Sequence, residues 1–108
     1  MPDSGPEIRD VYDQSLQEIG SVFRSLDASP EQVEEAKKKL RDLTSLMLVH
    51  TLDTIQGRTA LLAGLIVELT DFTSKIQIEP KFLRSVEMLT NLADKAKTLL
   101  ESEKKNLV

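Results

Sequence analysis

The chain has 108 residues, a formal net charge of −4 and no Cys. That length suits one domain with a modest core, and the missing thiols exclude disulfides, thiolate metal sites, iron–sulfur clusters and Cys nucleophiles. The acidic balance, the lack of any basic cluster without acidic neighbours, and an aromatic set of one Tyr, three Phe and no Trp argue against nucleic acid as a partner.

The opening Met1-Pro2-Asp3-Ser4-Gly5-Pro6-Glu7 is polar and acidic, unlike a secretory or transit leader, so the expected setting is cytoplasmic. Residues 1–5 and 106–108 read as flexible ends of a single domain, 1–108. Pro is tolerated in the first helical turn, where its missing N–H would have no intrahelical partner, and Pro6, Pro30 and Pro80 each read as a helix start.

The first predicted helix covers about 6–26. Ile8, Val11, Tyr12, Leu16, Ile19, Phe23 and Leu26 recur at steps of three and four, which gathers them on one face. Its polar face is dominated by acidic residues, unlike the Lys/Arg-rich face of a membrane-surface helix, so the apolar face is expected to fill the protein's own core.

Ser29-Pro30-Glu31-Gln32 is a helix start with a capping side chain, Pro at the first position and Gln three residues after the cap. From there no Pro interrupts the chain until Pro80, which predicts one long central helix over about 30–77. Glu31 to Asp42 is dense in charge, with Glu34/Lys38 and Glu35/Lys39 in the acid-first i, i+4 order, and reads as a solvated face. From Leu43 to Ile76 the only charged residues are Asp53, Arg58, Glu68, Asp71 and Lys75. The longest purely apolar run, Ala60 to Val67, is far short of the roughly 20 residues that span a bilayer, so no membrane-spanning segment is expected.

One apolar stripe of this helix runs through Val33, Ala36, Leu40, Leu43 and Met47 and resumes at Leu61, Leu65, Leu69, Phe72 and Ile76. Thr51, Thr54 and Arg58 interrupt it. There the apolar load passes to Leu48, Leu52, Ile55 and Ile66 on another face, so the helix needs cover on two sides. A kink or break at Gly57 is the local alternative, since Gly weakens a helix by about 1 kcal/mol. The last predicted helix, about 80–105, carries Phe82, Val86, Leu89, Ala93, Ala96 and Leu100 on one face.

Short links fold the two flanking helices back over the central one. Most cross-sections of such a chain hold two helices, whereas burying a helix on several faces takes three or four. The expected fold is therefore an all-α antiparallel bundle completed by homodimerisation. A four-helix monomer that reverses near Gln56-Gly57-Arg58 is the alternative. Gly57, Ala60 and Gly64 allow close backbone approach, either at a dimer crossing or within the chain. The interface residues expected are Leu48, Leu52, Ile55, Gly57, Ala60, Gly64 and Ile66.

His50 is the only histidine, and neither HExxH nor Glu-x-x-His is present, so no metal or other cofactor is expected. His50-Thr51-Leu52 resembles the start of the His-x-Leu-Lys-Gly segment of histidine phosphotransfer domains. That resemblance implies an imidazole on the outside of a bundle helix, within reach of a response regulator. Asp53 and Thr54 stand where the family has Lys and Gly. Glu34-Glu35 and Glu101 with Glu103 fall in lysine-rich, solvated segments unsuited to acid catalysis, and no nucleophile elbow or phosphate-cradling loop occurs. The expected function is a non-catalytic protein-interaction module that binds a partner's helix in a groove, as an adaptor, anti-activator or assembly or secretion chaperone. Phosphotransfer at His50 and a structural subunit of a larger helical assembly are the alternatives.

Overall fold

A computed structural model describes residues 5–76 and 80–106. The first helix, α1, spans Gly5–Phe23 and buries Ile8, Val11, Tyr12 and Ile19, with Leu16 and Phe23 half-buried against the same core. Leu26, expected on that face, lies beyond the helix end and is fully exposed. α2 spans Pro30–Val49 and starts on a full capping box: the Ser29 hydroxyl accepts from the Gln32 amide, and Gln32 Oε1 accepts from the Ser29 amide.

The long central helix does not exist. α2 ends at Val49, and α3 spans Ile55–Ile76, with a five-residue turn over 50–54 between them. The break falls short of Gly57 and involves no Pro. Thr side chains make it: the Asp53 amide donates to Thr51 Oγ1, and the Gly57 amide donates to Thr54 Oγ1. Thr54 is thus the cap of α3, and its carbonyl accepts the first helical bond from Arg58. Gly57 fits the turn because a side chain there would overlap the Thr51 carbonyl oxygen and lie 2.9 Å from its carbonyl carbon.

A short 3₁₀ turn at Pro80–Phe82 leads into α4, Leu83–Lys105. The expected flexible ends fall mostly on residues 1–4 and 107–108, outside the described residues; Gly5 belongs to α1 and Asn106 caps α4. The expected link over 77–79 is also outside them.

The four helices form an antiparallel bundle, 46 × 23 × 18 Å, within one chain. α1 packs on α2 and α4, α3 packs on α2 and α4, and α1 and α3 touch across the diagonal. The direction of α2 against α3 follows from their contacts, since Glu35 meets Lys75, Lys39 meets Asp71, and Leu46 meets Gly64. Leu61, Leu62, Leu65, Leu69, Phe72 and Ile76 of α3 are fully buried against Leu43, Leu89 and Ala96. The second layer of helices that a dimer was expected to supply comes from the chain's own hairpin. Dimerisation is therefore not needed to close the core.

Two sequence expectations about charge are corrected here. The Glu31 to Asp42 run is not wholly solvated, because Lys39 is 3% exposed and Glu35 is half-buried. Glu103, read as part of a solvated pair, is 1% exposed. Both sit where neighbouring helices present an opposite charge, a tertiary fact that local composition does not carry.

Candidate interaction surface

The hairpin of α2 and α3 brings together most of the residues singled out in the sequence. Its inner seam is a line along α3, Gly57, Ala60, Gly64, Glu68, Asp71 and Lys75, spaced at three and four so that they share one side of the helix; Gly57 meets the turn, and Gly64, Glu68, Asp71 and Lys75 meet α2. At the turn end the line is small. A Cβ on Gly64 would lie 2.6 Å from Leu46 Cδ2, so the close approach that this stripe permits is taken by the chain's own α2.

At the other end the seam is ionic. Lys39 Nζ lies 2.5 Å from Asp71, 3.3 Å from Glu68 and 3.8 Å from Glu35, while Lys75 bridges Glu35 at 3.0 Å and Asp71 at 3.4 Å. Glu34 pairs with Lys37. Burial is the largest single influence on Lys39 and opposes its charge, yet the Asp71 and Glu68 carboxylates together outweigh it and hold Lys39 above the ordinary lysine value. The hydrogen bond from Lys39 holds Asp71 below its usual value. Burial, and then the neighbouring Asp42 carboxyl, push Glu68 above its usual value.

The turn is pinned from below by Arg58. Its Nη1 donates to the Leu52 carbonyl at 2.8 Å, and its Nε donates to Glu103 Oε1 at 3.0 Å, tying the last turn of α4 to the hairpin. Glu103 Oε2 is buried without a hydrogen-bond partner. On the far side, the buried Tyr12 hydroxyl donates to the Leu43 carbonyl at 2.9 Å and locks α1 to α2.

His50 is the residue on which α2 ends, in extended conformation, with its amide donating to Leu46. The break therefore parts His50, at the end of α2, and Asp53, in the turn, from Glu68 on α3, which the expected long helix would have joined. The resemblance to a phosphotransfer segment called for His50 on a helix surface, and the turn takes it off one.

The hairpin exposes three large apolar side chains. Leu48, Val49 and Val67 are 81%, 73% and 63% exposed. Between the two helices lies an open groove of about 400 Å³, floored by Leu46 and Gly64, walled by Ser45, Ala63 and Val67, and closed at its far end by Asp42 and Glu68. Of the expected interface residues, Leu48 is exposed in the last turn of α2. Gly57 is buried in the turn and Ala60 is half-buried along the seam, with Gly64 at the groove floor. Leu52, Ile55 and Ile66 are half-buried, Leu52 and Ile66 against the core.

Sequence reasoning missed Val49, Ala63 and Val67. A usable signal existed: from Gln56 to Ser74, every third or fourth residue along Gln56, Thr59, Ala63, Val67, Thr70 and Ser74 is uncharged. Among the described residues no helix is long and apolar enough to cross a membrane. No known family's profile matches the chain, and no curated protein or solved structure is significantly similar to it.

Proposed function

We propose that this protein is a non-catalytic helical interaction module, an adaptor, anti-activator or assembly chaperone, that works as a cytoplasmic homodimer and takes a partner protein's helix on the outer side of its α2/α3 hairpin. The observation that carries the reading is the open groove floored by Leu46 and Gly64 and walled by Ala63 and the exposed Val67, with Leu48 and Val49 exposed in the last turn of the same α2. An amphipathic helix recognises such a groove with side chains at i, i+3, i+4 and i+7.

The non-catalytic part rests on what the buried polar groups do. Lys39, Glu103, Tyr12 and Ser15 each contact another part of this chain and hold helices together or bond their own helix. The test is affinity capture from the native source with the wild-type chain and with Leu48→Glu and Val49→Glu variants, read by mass spectrometry. The expected result is one or more proteins retained by the wild type and lost by both variants, with helical content unchanged. Retention that both variants keep would overturn the assignment of this face.

A further inference from the structure

The bundle consists of two halves, α1 with α2 and α3 with α4, joined in the chain by the turn over 50–54. Glu35 with Lys75, Lys39 with Asp71, and Leu46 with Gly64 hold α2 to α3 across that division. None of these contacts requires both halves to belong to one chain.

The turn itself is lightly built. His50-Thr51-Leu52-Asp53-Thr54 contains no Pro or Gly, and no described residue has a positive φ, so each residue of the turn can also take up helical backbone. Two threonine hydroxyls and the Arg58 bond to the Leu52 carbonyl close it. Among the described residues, the amides of Thr51, Leu52 and Thr54, and those of Ile55 and Gln56 in the first turn of α3, have no partner in the chain. A helix continued through the turn would bond all of them to carbonyls four residues back.

The register of α2 against α3 gives that continuation a consequence. The pairs Glu35/Lys75, Lys39/Asp71 and Leu46/Gly64 share one midpoint in the sequence, Ile55. Their members also stand about eleven, nine and five helical turns apart along the chain, each within roughly half a residue of a whole number. On one continuous helix, the stripe with which α2 meets α3 and the stripe with which α3 meets α2 are therefore the same stripe. Two copies laid antiparallel about Ile55 would remake every pair, α2 of each against α3 of the other, without turning either half. The same register sets His50 opposite Ala60 and Asp53 opposite Gly57 of the other copy, small residues that leave room for both.

We infer that this chain exchanges halves with a second copy: the turn over 50–54 opens and runs on as helix, and a two-fold dimer forms in which α1 and α2 of each copy close on α3 and α4 of the other. The occupant is a second copy because only the chain itself carries the complementary halves in this order. The seam contacts are common to both forms, so the monomer and the dimer differ in the turn and in the cost of association, and concentration sets their balance. The inference rests on the homodimer part of the proposed function and states how that dimer is built.

The experiment uses the full chain, which has no Cys. Leu46→Cys and Gly64→Cys are made in separate chains, mixed in mild urea, returned to buffer at high concentration and oxidised. Exchange brings the two thiols together across the seam, so a disulfide-linked heterodimer is expected on a non-reducing gel. Leu46→Cys alone should not link, because the exchanged dimer sets the two copies of residue 46 about 27 Å apart along the helix pair. Sedimentation equilibrium gives a second readout. Gly57→Ala, whose methyl overlaps the Thr51 carbonyl only when the turn is closed, should strengthen dimerisation by roughly ten-fold or more, and a Gly-Ser-Gly insertion between Leu52 and Asp53 should leave the chain monomeric. A dimer that gives no link between residues 46 and 64 of different chains, or that Gly57→Ala does not strengthen, overturns the exchange while leaving self-association intact. A chain monomeric to submillimolar concentration overturns both the exchange and the homodimer while leaving capture of a partner's helix intact.

Discussion

Replacing Gly57 by Ala tests the hairpin turn most directly, because ordinary helix propensity and the geometry of this site predict opposite signs. Gly57 lies in the first turn of α3, where Ala is favoured over Gly by about 1 kcal/mol in a helix without tertiary contacts. Here the new methyl would overlap the Thr51 carbonyl oxygen and lie 2.9 Å from both its carbonyl carbon and Cγ2. Backbone atoms cannot rotate away as a side-chain tip can. The turn has only five residues and is held at Leu52 by Arg58. Forcing a methyl into such a site costs about 1–3 kcal/mol, and overlap with fixed backbone places this one toward the upper end, so after the propensity gain a net loss of up to about 2 kcal/mol is expected. Gly20→Ala is the control: its methyl would meet only the guanidinium end of Arg24, an exposed and flexible group, and a gain of about 0.5–1 kcal/mol is expected. Gly64→Ala, which presses on the tip of Leu46, should fall between them. Urea denaturation followed by circular dichroism at one fixed protein concentration separates the three. Thermal midpoints for Gly57→Ala and Gly20→Ala should differ by roughly 10 °C. Equal stabilities for these two variants would refute the turn geometry.

Arg58→Met should destabilise the fold by about 3–5 kcal/mol, since it strands the buried Glu103 carboxylate, whereas Arg58→Met with Glu103→Leu should be near neutral in the same urea assay. Lys39, Lys75 and Tyr12 all have raised pKa values in the fold. Their contributions are complete at neutral pH and are lost as pH rises through those raised values, so a thermal-stability profile should fall above about pH 10, and Lys39→Met should flatten that limb. Asp71 acts on the acid side, where its contribution is lost as pH drops through its lowered value, while the raised Glu68 works in the opposite sense. Ser29→Ala removes one half of the capping box and should cost about 1 kcal/mol in the urea midpoint, with α2 still formed.

Helix starts at Ser29-Pro30 and near Pro80, the apolar face of α1, and the Leu61 to Ile76 stripe were all readable from spacing and capping chemistry. Each is a local feature, or a periodicity long enough to survive tertiary context. The reversal over 50–54 was not readable by the same means, because a search for Pro and Gly passes over Thr51 and Thr54. Those hydroxyls accept backbone amides that a continuing helix would have bonded to carbonyls. Thr51, Thr54 and Arg58 did stand out as interruptions of the stripe, and they are the residues that turn the chain and pin it. Lys39 and Glu103 were misread for a different reason: lysine-rich surroundings suggest solvent, and only the arrival of α3 beside each of them makes the position buried. Of the candidate surface, Leu48 stood out as apolar off the main stripe, whereas Ala63 and Val67 lie inside the apolar run from Ala60 to Val67, where composition alone does not separate the buried Leu61, Leu62 and Leu65 from their exposed neighbours.

The ionic half of the seam explains why α2 and α3 settle in one register. A purely apolar seam would tolerate a slip of one turn with little loss. Here a one-turn slip brings Lys39 opposite Lys75 or Val67 instead of Asp71, and moves Leu46 off the notch at Gly64 onto Glu68 or Ala60. Either error leaves a desolvated charge unpaired, a cost of several kcal/mol, whereas the correctly paired network gains little over a well-packed apolar one. The pairs therefore act against the wrong register more than they favour the right one. They also set the character of the outer surface. In the native register the charges of α3 pair with groups of α2 and α4, which leaves Ala63, Val67 and Thr70 uncharged between them; Lys39→Met strands Asp71 and Glu68 and should lower the urea midpoint at neutral pH, although the charges it strands lie on the other helix.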